Sequence, residues 1–198
     1  MKKTTLLAAL ILCVSLNGLA QSNNGNKRRS DRKMTEINKI VKLSNQQEAQ
    51  VRNAYEAYML TVDSSLYNEP DAVRATQMKY RASKQFHETL MNTLTEKQRI
   101  QYIQITSTPE VEAKTLYKIE LLQESGEYSE SELSEMHDQI FDYLMSEKVV
   151  YARDKFNFKK QKENISRLKN TQPRALRESN IREKMKGQGR LRNGKVKW

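Results

Sequence analysis

The sequence predicts an all-α protein built of extended antiparallel helical hairpins, with one long C-terminal helix and flexible basic tails. Two observations carry this reading. The 198 residues include only three prolines and six glycines, while Leu, Met, Glu, Gln, Lys and Arg, which lose little side-chain freedom in a helix, abound. Apolar residues recur at spacings of three and four through most of the chain, and no segment reads as a strand.

The segment from Met1 to Ala20 stands apart. Lys2 and Lys3 precede an almost wholly apolar run from Leu6 to Leu16, and Gly18-Leu19-Ala20 follows with small residues at positions 18 and 20. This is the pattern of a bacterial secretory signal, with cleavage expected after Ala20 and a mature start at Gln21. The run is about half the roughly 20 residues a membrane-spanning helix needs. Cys13 is the only cysteine. Bulky Leu12 before it disfavours lipid attachment, and its loss with the signal leaves no disulfide or thiol chemistry in the mature chain. The expected location is the periplasm.

Residues 21–33 are polar, basic and aperiodic, and read as a disordered arm. A helical domain is expected over 34–169. A short helix begins at Met34, with apolar residues at 34, 37, 40 and 41. The spacing predicts a second helix over 45–67, through Val51, Tyr55, Tyr58, Met59, Val62 and Leu66, stopped by Asn68-Glu69-Pro70. A third fits 71–93, with Ala75, Met78, Ala82, Phe86 and Leu90 on one face. A fourth, short one fits 96–105. Thr108-Pro109 then predicts a fresh start, Thr as cap and Pro at the first helical position, with Gly126 as the terminator near Gln123. Tyr128-Ser129-Glu130-Ser131-Glu132 predicts a capping box, with Tyr128 stapled onto Leu133. From there one stripe runs through Leu133, Ile140, Leu144, Tyr151, Phe158, Ile165 and Leu168, a helix of about 54 Å if unbroken; the rival is a break near Asn157 that folds the chain back into a compact monomer. Residues 170–198 read as a basic flexible tail, in which 174–186 has the composition for a short helix.

Aligning the chain with itself so that Ser44 falls on Ser129 also brings Gln47 onto Glu132, Tyr55 onto Ile140 and Met59 onto Leu144. This pattern suits a duplicated unit, 34–106 and 109–169, and equally suits any two capped amphipathic helices.

The net charge of +11 is unevenly placed. Residues 21–33 carry five basic and one acidic residue, and residues 170–198 nine basic and two acidic. The folded part is therefore close to neutral, and the tails carry the basicity. Their cations Arg174, Arg177, Arg182, Lys184, Lys186, Arg190 and Arg192 are candidate contacts for an anionic envelope surface; export argues against nucleic acid. Residues 110–147 are strongly acidic and 148–169 basic. An antiparallel homodimer is expected from that asymmetry and from the overhang of the long helix.

Nothing points to an enzyme. His87 and His137 lie alone on predicted helices, and there is no phosphate loop, GxSxG elbow or metal-ligand spacing. No cofactor is expected. The informative motifs are Leu43-Ser44-Asn45-Gln46-Gln47 and Leu94-Thr95-Glu96-Lys97-Gln98. Each is an apolar anchor followed by a capping box, in which the hydroxyl accepts from the N3 amide and the glutamine reaches back to the cap. Two such motifs in an exported helical chain resemble the Spy/CpxP family of periplasmic proteins, named for paired LTxxQ motifs, over about residues 34–106; Ser44 stands where the family has Thr. The resemblance implies a helical, cradle-shaped, often dimeric protein. Family members act as ATP-independent chaperones that hold unfolding envelope proteins, or restrain an envelope-stress sensor. Tyr55, Tyr58, Met59, Tyr151 and Phe158 are the candidate client or partner surface.

Overall fold

The structure, a computed structural model, describes the backbone of residues 25–193 and the side chains of residues 25–187. The expected signal, its cleavage after Ala20 and Cys13 lie outside the described residues, as do the side chains of Arg190 and Arg192. Seven helices and no strand occur among the described residues: α1 (25–40), α2 (Asn45–Tyr67), α3 (Ala72–Thr93), α4 (Glu96–Gln123), α5 (Glu130–Arg153), α6 (Phe158–Lys169) and α7 (Arg174–Asn193). The all-α expectation is met. None of these helices is long and apolar enough to cross a membrane. The chain divides into two compact units after Arg99.

In the first unit, α1 starts at Gly25, well before the expected helix at Met34. Residues 25–33 are not a disordered arm, because the stripe Met34, Ile37, Val41 continues backwards through buried Asn26 and Ser30. Those two are polar, so no apolar signal marks them. Ion pairs fasten α1 to α2: Arg29 to Asp63 at 3.3 Å, and Arg52 to Asp31. Arg52 also holds Glu48 at 2.8 Å. Hydrogen bonds from Arg52, then Asn38, set the Glu48 carboxyl below its ordinary range.

Helices α2 and α3 form a packed hairpin. Asp71 caps α3 by accepting from the amides of Val73 and Arg74 at 2.8 and 3.1 Å. Buried Ala75 and Ala82 on α3 are small enough to let the backbones approach. Between the helices Tyr55, Tyr58 and Phe86 cluster with ring centroids 5.3–6.0 Å apart, Tyr58 stacked on Phe86 and Tyr55 edge-on to it.

Helix α4 corrects the expected restart at Thr108-Pro109, since it is continuous with Pro109 inside it. Proline removes the amide that would donate to the Ile105 carbonyl. Nearby threonines hydrogen-bond back to helix carbonyls: Thr106 Oγ1 donates to the Tyr102 carbonyl at 2.7 Å and Thr108 Oγ1 to the Gln104 carbonyl at 2.8 Å. Such local back-bonding is compatible with an uninterrupted but deformable helix. Its end is as expected: Gly126 takes φ +68° after the last turn, a conformation glycine adopts without strain.

The second unit gathers the later part of α4 with α5, α6 and α7. Leu122, Leu133, Ile140, Tyr143, Ala175 and Leu176 form its buried centre, with Tyr128 and Leu168 packed against it. The long C-terminal helix is not unbroken. It stops at Arg153, and a turn through Asp154–Phe156 leads to Asn157, whose side chain caps α6. The turn is set by Asp154, which is 4% exposed. Its carboxylate accepts from Asn164 at 2.8 Å and pairs with Arg153 at 3.1 Å and Lys160 at 3.6 Å. Helix α6 then packs on α5 and buries Ile165. Of the overhanging stripe that motivated an antiparallel homodimer, Ile165 is thereby covered within its own unit, while Tyr151 and Phe158 stay exposed.

Within the basic tail, the helix that composition allows over 174–186 is present as part of α7, which docks through Ala175, Leu176 and Ser179, each 6% exposed or less. The self-alignment that pairs Ser44 with Ser129 carries α2 onto α5, to within a residue at the C-terminal end. It also carries buried Ser30, Ile37, Leu90, Met91 and Leu94 onto buried Thr115, Leu122, Ala175, Leu176 and Ser179.

Candidate functional site

The two motifs meet. Ser44 caps α2 and forms the expected box, its Oγ accepting from the Gln47 amide at 3.2 Å while Gln47 Oε1 accepts from the Ser44 amide at 3.0 Å. Thr95 does the same for α4: its Oγ1 accepts from the Gln98 amide at 3.3 Å, and Gln98 Oε1 accepts from the Thr95 amide at 3.0 Å. Up to this point each motif is a local helix start.

A box uses only the glutamine's oxygen. The amide nitrogens are free to act elsewhere, and they cross over. Gln47 Nε2 donates to the Thr93 carbonyl at 2.8 Å and to Gln98 Oε1 at 2.9 Å. Gln98 Nε2 donates to the Lys42 carbonyl at 2.7 Å. Lys42 precedes Leu43, and Thr93 precedes Leu94, so the exchange is reciprocal: each glutamine grips the backbone leading into the other motif. The loop is tied further by Asn38, which accepts from the Leu43 amide at 3.1 Å and donates to Glu48 at 3.0 Å. Beneath this clasp Leu94 is 2% exposed, while Leu43 is half-buried. The clasp joins the starts of α2 and α4, and thereby the base of the α2–α3 hairpin. It contains no nucleophile, acid or base in a reactive arrangement, and its chemistry is structural.

The second unit has the box without the clasp. Ser129 Oγ accepts from the Glu132 amide at 3.3 Å, and Glu132 Oε2 accepts from the Ser129 amide at 2.8 Å. A carboxylate has no hydrogen to donate across.

The candidate partner surface is only partly assembled. Tyr55, Tyr58 and Met59 lie together on α2, half-buried, the two tyrosines against Phe86. Tyr151 and Phe158 belong to the second unit, 44% and 69% exposed. Sequence reasoning missed the hairpin tip. Leu66, Tyr67 and Val73 flank the Asn68–Asp71 turn at 57%, 83% and 66% exposure. The available signal was three large apolar residues beside a turn that helical periodicity alone would call polar.

The basic candidates separate into two sets. Arg182 pairs with Glu127 at 2.8 Å and Glu178 at 2.9 Å, and Lys186 with Glu124 at 2.6 Å. Glu178 also accepts from the Tyr128 hydroxyl at 2.7 Å, and these contacts, Tyr128 first, hold its carboxyl below the ordinary range. Lys118 reaches Glu183 at 2.6 Å and Asn180 at 2.7 Å. Arg182 and Lys186 are thus committed internally, whereas Arg174, Arg177 and Lys184 are exposed.

Helices α4 and α5 are joined by Glu110, drawn down to about 2 by hydrogen bonds from Lys114 and Lys148, and by His137. Among the described residues no cluster of His, Cys, Asp or Glu suits a metal ion. His137 Nε2 lies 3.0 Å from Glu112 and Nδ1 lies 3.2 Å from Asp138. Burial draws its pKa down, but the hydrogen bonds to Asp138 and Glu112 outweigh it and the net shift is upward. A raised pKa means the contribution is fully present below the unfolded value of about 6.5 and is lost as pH rises through the folded value. Stability of the second unit is therefore expected to fall modestly as pH rises above about 6.5, by less than about 1 kcal/mol because both carboxylates are solvated. Urea midpoints across that range measure it; an identical slope in His137→Gln would refute the assignment.

Comparisons of this chain with protein-family models, with curated proteins and with solved structures find no match.

Proposed function

We propose that this chain is an exported envelope protein that holds partly unfolded proteins without ATP, using the α2–α3 hairpin as the holding element. The observation that carries this reading is the combination of a clasped base and an apolar tip. The clasp fixes where the hairpin starts, while Leu66, Tyr67 and Val73 remain in water at its end. Exposed apolar groups gathered at one place in a charged surface are the kind of feature that marks a binding site. Met59 and Met78 on the same hairpin are half-buried and, being flexible and polarisable, adapt to varied surfaces. The paired motifs' resemblance to the Spy/CpxP family supports the same reading, and extends it to an envelope-stress adaptor using that tip to contact a sensor.

The test is an aggregation assay with a chemically unfolded client and the chain starting at Gln21. Suppression of light scattering near equimolar ratio is expected, with most of it lost in Tyr67→Asp/Val73→Asp, whose side chains are exposed enough to leave folding intact. A wild-type chain without effect on aggregation, or a double variant as active as wild type, would sink the proposal.

A further inference from the structure

The outward face of α7 suits a membrane surface. Its inward face docks through Ala175, Leu176 and Ser179, and the cations on that side, Arg182 and Lys186, are neutralised by Glu127, Glu178 and Glu124. Helical spacing places Arg174, Arg177, Ile181, Lys184 and Met185 on the opposite side. All five are exposed, and Ile181 and Met185, at 57% and 59%, are the apolar ones among them. Neither Arg177 nor Lys184 forms an ion pair among the described residues. A docked helix that keeps two large apolar side chains in water, with uncommitted cations on both sides of them, has the pattern of an interfacial helix.

We propose that this face of α7 binds the surface of an anionic lipid bilayer, Ile181 and Met185 entering the headgroup boundary while Arg174, Arg177 and Lys184 lie against lipid phosphates. Long cationic side chains reach the headgroups while their stems stay in the apolar layer. Beyond the helix face the sequence adds Arg190, Arg192, Lys195 and Lys197, so charge of the same sign continues along the chain. A soluble polyanion would satisfy the cations and leave Ile181 and Met185 in water, which is why a bilayer is the better-matched partner. The inference is independent of the holding activity assigned to the α2–α3 hairpin.

The experiment is co-sedimentation with vesicles of phosphatidylcholine containing phosphatidylglycerol, against pure phosphatidylcholine, using the chain from Gln21 so that the apolar segment before it cannot partition by itself. Wild type is expected to pellet with anionic vesicles and to stay in solution with neutral ones, binding more weakly as salt screens the charge. Ile181→Asp/Met185→Asp and, separately, Arg177→Glu/Lys184→Glu should each weaken anionic binding by about tenfold or more, with Lys97→Glu in the first unit as the unaffected control. Circular dichroism and urea midpoints equal to wild type show that the variants are folded; because all four side chains are exposed, that equality is expected. Two results would overturn the proposal: no binding of wild type to anionic vesicles, or binding that survives Ile181→Asp/Met185→Asp unchanged and is matched by soluble polyphosphate, which would make the face a polyanion site.

Discussion

Replacing both Gln47 and Gln98 by alanine is expected to destabilise the first unit by about 3 kcal/mol, on a net value of about 0.5–1.5 kcal/mol per hydrogen bond. The two side chains take part in seven hydrogen bonds: one box contact each, one backbone carbonyl each in the opposite motif, two amide-to-amide contacts, and one from the Thr95 hydroxyl to Gln98. The lower half of the range applies because both glutamines are half exposed. The single changes remove four of these bonds at Gln47 and five at Gln98, and each should cost roughly 2 kcal/mol on the same basis. The double change should cost less than the sum of the singles, since the amide-to-amide contacts are lost only once. Ser44→Ala removes one exposed cap and should cost about 1 kcal/mol. The discriminating variants are Gln47→Glu and Gln98→Glu. A glutamate still accepts from the cap amide, as Glu132 does for Ser129, but cannot donate to the Thr93 or Lys42 carbonyl. If the motifs were only helix caps, both would be harmless. Urea denaturation with amide exchange read in α2 measures the effect, and a wild-type midpoint in both glutamate variants would refute the clasp.

What the sequence made legible was local. The bounds of α2, the caps at Ser44, Thr95 and Ser129, the stop at Asn68-Glu69-Pro70 and the turn at Gly126 all follow from chemistry between near neighbours in the chain. The errors share the opposite character. Residues 25–33 read as disordered because the buried positions there are Asn26 and Ser30, whose burial depends on the helix they pack against. Pro109 reads as a helix start because the threonine hydrogen bonds around it are invisible to a propensity argument. The break after Arg153 reads only as the rival to a long helix, because the apolar spacing happens to continue from Tyr151 through Phe158 to Ile165, and the turn is fixed by a buried carboxylate rather than by glycine or proline. The clasp is half legible. Each motif is recognisable as a capping box, and glutamine at both N3 positions, where glutamate would cap as well, is a sign that the spare amide hydrogens have work elsewhere. The identity of their acceptors, the Thr93 and Lys42 carbonyls far along the chain from Gln47 and Gln98, required the fold.

The tail holds the second large effect, because the part that composition marks as dispensable is the part that closes the second unit. Ending the chain at Gln172 removes α7 and uncovers Leu122, Ile140 and Tyr143, which share their buried cluster with Ala175 and Leu176. It also strands Lys118, whose side chain is 13% exposed and pairs with Glu183. The loss of Leu176 alone corresponds to about 2–5 kcal/mol, by analogy with other large-to-small core changes. A whole docked helix should therefore cost a large fraction of the roughly 5–15 kcal/mol that ordinarily holds a domain folded. The truncated chain is expected to lose protection from amide exchange in α5 while α2 and α3 keep theirs. Leu176→Ala tests the same contact without truncation and should lower stability by about 2–5 kcal/mol, whereas Lys184→Glu, on the outward face, should change it by less than about 0.5 kcal/mol. A chain ending at Gln172 with an unaltered urea transition would show that α7 is not a structural member of the unit. The expected outcome has a practical consequence for function: a tail-less chain that fails in a holding assay has lost its second unit, so the contribution of the basic residues must be read from charge changes at Arg177 and Lys184.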